Sequence, residues 1–176
     1  MTRLTVQDRA RQIRLVLLDV DGVLTDGTVT IDAAGEESKG FNIKDGAAIV
    51  WALGAGLPVG LLSARESRAT AERARQLGIT IVVQGASSKS AAFDEIVRAL
   101  DMPADQVAYM GDDLVDLPVM SRAGLAAAPA DGAAETLEAA HWVSRCDGGR
   151  GAVREFLELI LKAQERWTAI VSEFSG

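Results

Sequence analysis

Two aspartates, Asp19 and Asp21, stand at the end of an apolar run that covers residues 13–18. The run is rich in branched side chains and is closed by Gly22, which is typical of a buried β-strand followed by a turn. Because alternate residues of a strand point to the same side, both carboxylates would project together. Two clustered anions repel, so a cation, a proton or a divalent metal must compensate them. An ordinary strand followed by an Asp-Gly turn is the simpler interpretation of this fragment alone.

A second acidic cluster follows a later apolar run, residues 107–110. Its three carboxylates, Asp112, Asp113 and Asp116, would be costly to gather unless they share a cation. Together with the first pair, Asp112 offers the oxygen ligands that suit Mg²⁺, a cation that also binds substrate phosphate. Asp113 and Asp116 are better placed to orient those ligands, although Asp116 could instead face solvent on a helix.

Two further residues with phosphate-binding chemistry follow other apolar runs. Ser63 ends the run 58–62, where its hydroxyl and the free amides of the next helix would cradle a phosphate. A helix cap is the competing role for this serine, and the two roles are compatible. Lys89 follows the run 79–83 and a turn-like stretch, and a lysine there can act as a point charge on phosphate and on an aspartate. Taken alone, Lys89 would more often be a solvated surface lysine.

These residues need elements that bring them to one place, and the hydrophobic pattern predicts such elements. Five apolar runs are typical of buried strands: residues 13–18, 58–62, 79–83, 107–110 and 125–128. Amphipathic segments with helical spacing follow or separate them: residues 46–55, 67–77, 90–100, 114–123 and 151–163. The alternation predicts an α/β fold with a doubly wound, mainly parallel sheet and right-handed crossovers. Ligands bind at the carboxyl ends of the strands in such sheets, so the four motifs should meet there.

One segment interrupts the alternation directly after the first acidic pair. Residues 28–31 are β-prone, residues 32–35 are turn-like and residues 36–41 return as a second strand, which predicts an inserted β-hairpin. An isolated hairpin is marginal in water, so it must pack on an oligomer partner or on its own domain. No linker divides the chain, and its length suits one domain over residues 1–176, closed by the helix and tail of residues 151–176.

Composition and charge exclude several classes of function. The net charge of −7 and the pI near 4.7 argue against sequence-independent nucleic-acid binding, which relies on basic surfaces. No apolar stretch reaches the roughly 18 residues of a membrane span. Residues 1–14 are charged and lack the apolar core of a signal peptide, so we expect a cytoplasmic protein. The single cysteine, Cys146, excludes an internal disulfide, and the single histidine, His141, lies far in sequence from the carboxylates.

The four motifs occur in the order Asp19-x-Asp21, Ser63, Lys89 and Gly111-Asp112-Asp113-x-x-Asp116. This combination resembles the haloacid dehalogenase superfamily of aspartate-nucleophile phosphotransferases. Longer segments resemble one family of sugar-acid phosphatases in it, the 3-deoxy-D-manno-octulosonate 8-phosphate phosphatases: residues 19–27, 41–46, 109–116 and 148–155. The chain departs from that family at residues 63–65, Ser-Ala-Arg in place of the common Thr-Gly-Arg, and at residues 86–88. Serine in place of threonine keeps the hydroxyl.

The resemblance implies a Mg²⁺-dependent phosphatase that works through an aspartyl-phosphate. Asp19 would be the nucleophile. Asp21 would protonate the leaving oxygen and then activate the water that hydrolyses the intermediate. Ser63 and Lys89 would neutralise the phosphoryl oxygens. The metal ligands that the resemblance implies are the carboxylates of Asp19 and Asp112 and the backbone carbonyl of Asp21.

The resemblance also implies a substrate, 3-deoxy-D-manno-octulosonate 8-phosphate, on the route to lipopolysaccharide precursors. Positions that match substrate contacts of the family are Asp21, Asn42, Lys44, Asp45, Gly46, Arg65, Arg73 and Lys89. No insert is large enough to form a lid domain. The family instead forms a homotetramer, whose hairpins (here residues 28–41) build a central barrel and whose tails (here the residues after 163) reach neighbouring sites. Arg150 could serve the same site or merely begin the last helix.

Two alternatives stay open at the level of sequence. A phosphatase for another sugar-acid phosphate, such as a nine-carbon 9-phosphate, would share every catalytic residue. A phospho-accepting receiver-like module also combines acidic residues, Mg²⁺, a hydroxyl and a lysine on a parallel sheet. It places its acceptor on a middle strand and has no general acid two residues beyond it, so Asp21 after Asp19 favours turnover over storage of the phosphoryl group.

Overall fold

A six-stranded parallel sheet forms the centre of the molecule in the computed structural model, which describes residues 4–175. Residues 1–3 and 176 of the predicted domain lie outside this range. The strands follow the spatial order β5-β4-β1-β6-β7-β8. Their bounds are β1 Leu15–Leu18, β4 Val59–Leu62, β5 Ile81–Val83, β6 Val107–Met110, β7 Leu125–Ala128 and β8 Trp142–Val143. The first strand lies between β4 and β6, so the ends of the three strands that carry acidic and hydroxyl motifs are neighbours.

Eight α-helices connect and cover these strands in the described residues. They are α1 Val6–Gln12, α2 Ile43–Gly54, α3 Arg68–Leu77, α4 Lys89–Ala99, α5 Leu117–Met120, α6 Ala134–Ala139, α7 Ala152–Ala163 and α8 Trp167–Glu173. Polar side chains begin three of the helices by accepting backbone N–H bonds: Asn42 at α2, Ser67 at α3 and Ser88 at α4. Gly78 ends α3 in the left-handed conformation at φ 76°, which glycine adopts without steric cost.

Two hydrophobic clusters lie on opposite faces of the sheet. Alternation along β1 divides its side chains between them, because Leu15 and Leu17 face one cluster while Val16 and Leu18 face the other. The first cluster is completed by residues of α4 and α5, and the second by residues of α1, α2 and α7. A parallel sheet covered on both faces confirms the predicted doubly wound α/β architecture.

The predicted hairpin is present, with shorter strands than the sequence suggested. Its strands are β2 Thr30–Ile31 and β3 Glu37–Ser38, paired antiparallel. Asp32 stabilises the turn by accepting the backbone N–H groups of Ala34 and Glu36. Within one chain the second strand lies against the start of α3, while Ile31 on the first strand is 66% exposed.

Several elements differ from the sequence prediction. The helix α1 was not predicted; a capping box between Thr5 and Asp8 begins it, and its short length hides any amphipathic period. The segment 114–123 is a 3₁₀ turn, Leu114–Asp116, followed by only four residues of α5, with Pro118 in the first turn. The short elements α6 and β8 were also missed. No helix in residues 4–175 is long and apolar enough to cross a membrane.

Candidate active site

The four predicted motifs meet at the carboxyl ends of β1, β4 and β6. Asp19 directly follows β1, Ser63 follows β4, Asp112 follows β6 by two residues, and Lys89 is the first residue of α4. Together they line a cavity of about 280 Å³. Its lining residues are Asp19, Asp21, Gly27, Ser63, Ala64, Arg65, Lys89, Asp112, Asp113 and Val115. The sheet topology thus assembles residues that are almost a hundred positions apart, as expected for strand ends in α/β sheets.

Lys89 links the two acidic motifs at the bottom of this cavity. Its ammonium lies 2.9 Å from Asp19 Oδ1 and 2.6 Å from Asp116 Oδ1, and its side chain is only 2% exposed. A buried ammonium requires such partners because desolvation of an isolated charge is costly. Its pKa is raised: burial alone would lower it, but the charges of Asp19 and Asp116 outweigh burial. Lys89 is therefore a charged partner of the carboxylates rather than a solvated surface lysine.

Asp116 is fully buried, so it does not face solvent. Its Oδ1 accepts from Lys89 and from the Tyr109 hydroxyl at 2.5 Å, and its Oδ2 accepts the backbone N–H groups of Asp112 and Asp113 at 3.1 Å. Both oxygens are thus engaged by donors, which suits a residue that holds Lys89 and the Asp112 loop in place. The sequence did not single out Tyr109, because an aromatic residue in an apolar strand is typical of core packing.

The carboxylates form a site that lacks enough positive charge of its own. Oxygens of Asp19, Asp112 and Asp116 lie within 4.8 Å of one another, and Asp112 Oδ1 is buried without a hydrogen-bond partner. Burial, together with the nearby charge of Asp116, raises the pKa of Asp19 to about 6 against the opposing effect of Lys89. Burial and the charges of Asp19 and Asp116 raise the pKa of Asp112 to about 8. Clustered carboxylate oxygens, one of them buried without a partner, are the donor set of a hard divalent cation, so the residues fit Mg²⁺.

Glycines allow the acidic loops to approach each other. Gly22 has φ +85°, and a Cβ at this residue would lie 2.0 Å from Asp112 Oδ2. A Cβ on Gly111 would lie 2.4 Å from the side chain of Asp116. The close contact of backbone with carboxylates therefore requires glycine at both positions.

Two cationic side chains lie beside Asp21, one from the hairpin and one from the loop after β4. Lys39 Nζ lies 2.5 Å from Asp21 Oδ1, and Arg65 Nε lies 3.8 Å from Asp21 Oδ2. Glu37 accepts hydrogen bonds from Arg65 at 2.7 Å and from the Ser67 hydroxyl at 2.6 Å. Neither Lys39 nor Glu37 was among the predicted site residues, because a charged residue in a hairpin is usually solvated. Lys39 and Glu37 are two residues apart and therefore share one face of β3 and its extension. This spacing is the sequence signal that could have identified them as a pair facing the site.

Five predicted substrate-binding positions do not line this cavity: Asn42, Lys44, Asp45, Gly46 and Arg73. Asn42 begins α2, and Gly46 packs where a Cβ would lie 2.3 Å from Arg73 Nη2. Asp45 is 1% exposed and accepts the backbone N–H groups of Gly151 and Arg154 at the start of α7. Burial raises the pKa of the Asp45 carboxyl, and those two bonds oppose the rise.

The C-terminal segment packs on its own chain. The ring of Trp51 in α2 contacts the rings of Trp167 and Phe174, with centroids 6.0 and 5.6 Å away. Arg154 lies over both indole rings, 4.4 Å from Trp51 and 5.3 Å from Trp167. Arg150, which precedes α7, is exposed and lies outside the cavity. It forms a 3.6 Å ion pair with Asp26.

Comparison with known proteins agrees with this constellation. The family model for haloacid dehalogenase-like hydrolases matches residues 61–157. The chain is 45% identical over 161 residues to the 3-deoxy-D-manno-octulosonate 8-phosphate phosphatase of Yersinia pestis, covering 92% of this chain and 86% of that protein.

Solved structures agree equally well. The phosphatase of the same name from Moraxella catarrhalis, in complex with magnesium, phosphate and KDO, superposes with a TM-score of 0.94 at 34% identity, over 96% of this chain and 97% of that one. The cobalt-bound form of the phosphatase from Haemophilus influenzae superposes with a TM-score of 0.86 at 38% identity. The match covers 89% of this chain and 92% of that one. The chain is a haloacid dehalogenase-like hydrolase, and it belongs to the family of 3-deoxy-D-manno-octulosonate 8-phosphate phosphatases.

Proposed function

We propose that the protein is a Mg²⁺-dependent phosphoric monoester hydrolase that releases phosphate from 3-deoxy-D-manno-octulosonate 8-phosphate. The observation that carries the proposal is the buried Asp19 carboxylate, which lies beside Lys89 and Asp112 at the floor of a cavity lined also by Asp21 and Ser63. The named relatives, including one whose structure contains magnesium, phosphate and KDO, support the substrate.

The proposed chemistry proceeds in two steps on this chain's residues. Asp19 attacks phosphorus while Asp21 gives a proton to the departing sugar oxygen, which leaves an aspartyl-phosphate. Asp21 then accepts a proton from water as the water attacks that phosphorus and frees Asp19. Lys89, held by Asp116, and Ser63 bind the phosphoryl oxygens on which charge accumulates.

The carboxylates of Asp19 and Asp112, with the backbone carbonyl of Asp21, are the groups that would hold Mg²⁺. When bound, the cation supplies positive charge next to the phosphoryl oxygens. Asp116 is already saturated by donors, so we assign to it and to Asp113 the orientation of the ligand loop.

We further propose that the active form is a cytoplasmic homotetramer in which residues 1–176 of each chain form one domain. Asn42, Lys44 and Arg73 would contact substrate in a site completed by a neighbouring protomer, since they lie outside their own chain's cavity. Exposed apolar residues, Ile31 at 66% and Ile43 at 77%, support a contact at the hairpin end. A full-length protein that sediments as a monomer and turns over efficiently would contradict this assembly.

Turnover of a substrate panel tests the function. Free phosphate is measured from 3-deoxy-D-manno-octulosonate 8-phosphate, a nine-carbon sugar-acid 9-phosphate and simple sugar phosphates, each with Mg²⁺ and with chelator. We expect the highest kcat/KM for the octulosonate and no turnover with chelator. A higher value for the nine-carbon compound would reassign the substrate, and one stoichiometric phosphorylation without release would indicate a receiver-like module.

A further inference from the structure

Lys39 is buried beside the proposed general acid, although it comes from the hairpin. Its side chain is 1% exposed, in contrast to Lys162, whose side chain is 53% exposed. The ammonium lies 2.5 Å from Asp21 Oδ1 and 3.7 Å from Glu37 Oε1. Removing an ammonium from water is costly, so a lysine in this position requires a compensating contact of this kind. The mechanism described above gives Lys39 no role.

The two oxygens of Asp21 have different environments. Oδ1 accepts the short hydrogen bond from Lys39, whereas Oδ2 is buried and has no hydrogen-bond partner within the described part of the chain. The Arg65 guanidinium is 3.8 Å from Oδ2, beyond hydrogen-bond distance. Asp21 lines the cavity, so the residue that borders the space for substrate has one engaged oxygen and one oxygen without a hydrogen-bond partner.

We propose that Lys39 is a positioning residue that selects Oδ2 of Asp21 as the oxygen that carries the transferred proton. An ammonium is a donor only, and its positive charge next to Oδ1 disfavours a carboxyl proton on that oxygen relative to Oδ2. In the first step the proton moves from Oδ2 to the sugar oxygen as the P–O bond breaks and the Asp19–phosphorus bond forms. In the second step Oδ2 receives a proton from the attacking water as Asp19 is released. This inference rests on the proposed function, because it deepens the role of Asp21.

The rest of the hairpin strand holds Lys39 in place. Glu37, two residues earlier, is fixed by Arg65 and by the Ser67 hydroxyl at the start of α3. Lys39 thus reaches Asp21 from an element that is anchored to the core domain at a second point. Fixed orientation matters because a displacement of about 1 Å in a reacting group can cost on the order of 10²-fold in rate.

The test compares leaving groups in Lys39→Met, Lys39→Gln and Lys39→Arg, with Lys162→Met as a matched lysine far from the cavity. Single-turnover phosphorylation is measured with Mg²⁺ on two substrates, the octulosonate 8-phosphate and p-nitrophenyl phosphate, whose leaving group needs no proton. We expect Lys39→Met to slow the first about 30-fold or more, and the second less than about 3-fold, because general acid catalysis contributes roughly 10²–10⁴-fold. Lys39→Arg should recover most of the loss, and Lys162→Met should match the wild type.

Glu37→Gln weakens the hairpin anchor but keeps the Lys39 ammonium. Because that anchor holds Lys39 in place, this variant should show the same kind of leaving-group dependence as Lys39→Met, but a smaller one. Equal losses on both substrates in Lys39→Met, a change in KM with unchanged kcat, or a leaving-group dependence in Glu37→Gln that exceeds that of Lys39→Met would each overturn the proposal. Should Lys39→Met fail to fold, Lys39→Gln is judged by the same criteria. If the wild type itself releases no phosphate from the sugar acid, the proposed function fails, which is a separate result.

Discussion

Replacing Asp45 with alanine should destabilise the protein by detaching α7 from α2. The carboxylate is 1% exposed and accepts the backbone N–H of Arg154 at 2.8 Å and that of Gly151 at 3.2 Å. Alanine leaves both donors without this acceptor at the start of a largely buried helix. A donor left unsatisfied costs about 1–3 kcal/mol when buried. Since Arg154 is only partly buried and water can reach it, we expect a total loss of about 2–4 kcal/mol.

Urea and thermal unfolding measure this loss. For a chain of this size each kcal/mol corresponds to roughly 2–4 °C in Tm, so the expected decrease is roughly 4–16 °C. Asp45→Asn keeps a carbonyl acceptor for one of the two N–H groups but turns its own NH₂ toward the other, so it should lose about 1–3 kcal/mol. Asp147→Ala removes an exposed aspartate in the loop before α7 and should change stability by less than about 0.5 kcal/mol. An Asp45→Ala variant with unchanged Tm but a strongly raised KM would refute the reasoning and identify Asp45 as a substrate contact.

Three further outcomes are expected. Asp19→Asn should keep its fold but retain less than about one-hundredth of the wild-type turnover, because loss of a nucleophile usually costs at least this much in rate. Phosphate release near the wild-type rate would exclude the nucleophile role. Mg²⁺ at about 100 times its Kd should stabilise the wild type by about 2.7 kcal/mol and thereby raise its Tm. It should not raise the Tm of Asp112→Asn; equal increases in the two proteins would place the cation elsewhere. Burial would raise the pKa of Glu155, but hydrogen bonds from Ser144 and Arg145 outweigh it and lower the pKa below its ordinary 4.5. Its stabilisation is therefore present above that value and lost as pH falls through the lowered pKa, so urea midpoints between pH 6 and 3 should fall more in the wild type than in Glu155→Gln, and parallel curves would contradict this.

The sequence predicted the residues whose chemistry is tied to strand ends. Asp19, Ser63 and Asp112 each follow a continuous apolar run, and parallel strands must bring such positions to one edge. The same pattern predicted the doubly wound sheet, because β1 alternates between two apolar clusters rather than between core and solvent.

Residues that act through tertiary contacts could not be predicted in this way. Tyr109 has the pattern of a core residue, and only the fold brings its hydroxyl to Asp116. Lys39 is in a hairpin, where charge normally indicates solvent, and only hairpin docking buries its side chain. Asp45 contacts a segment more than a hundred residues later in the sequence, so its role as a helix anchor has no local signal.

The two glycines before α7 have a consequence for how the site comes into being. Gly149 donates its N–H to Val23 O, and a Cβ on Gly148 would lie 1.7 Å from Gly22 O, so this turn rests directly on the loop that follows Asp19. The two contacting segments are about 125 residues apart, and such distant pairs are closed late because they cost the most chain entropy. Asp19 precedes these glycines by well over a hundred residues, so during synthesis its loop acquires this support only after residues 148 and 149 have emerged. The loop after Asp19 therefore stays without this contact while the residues between the two segments are being synthesised.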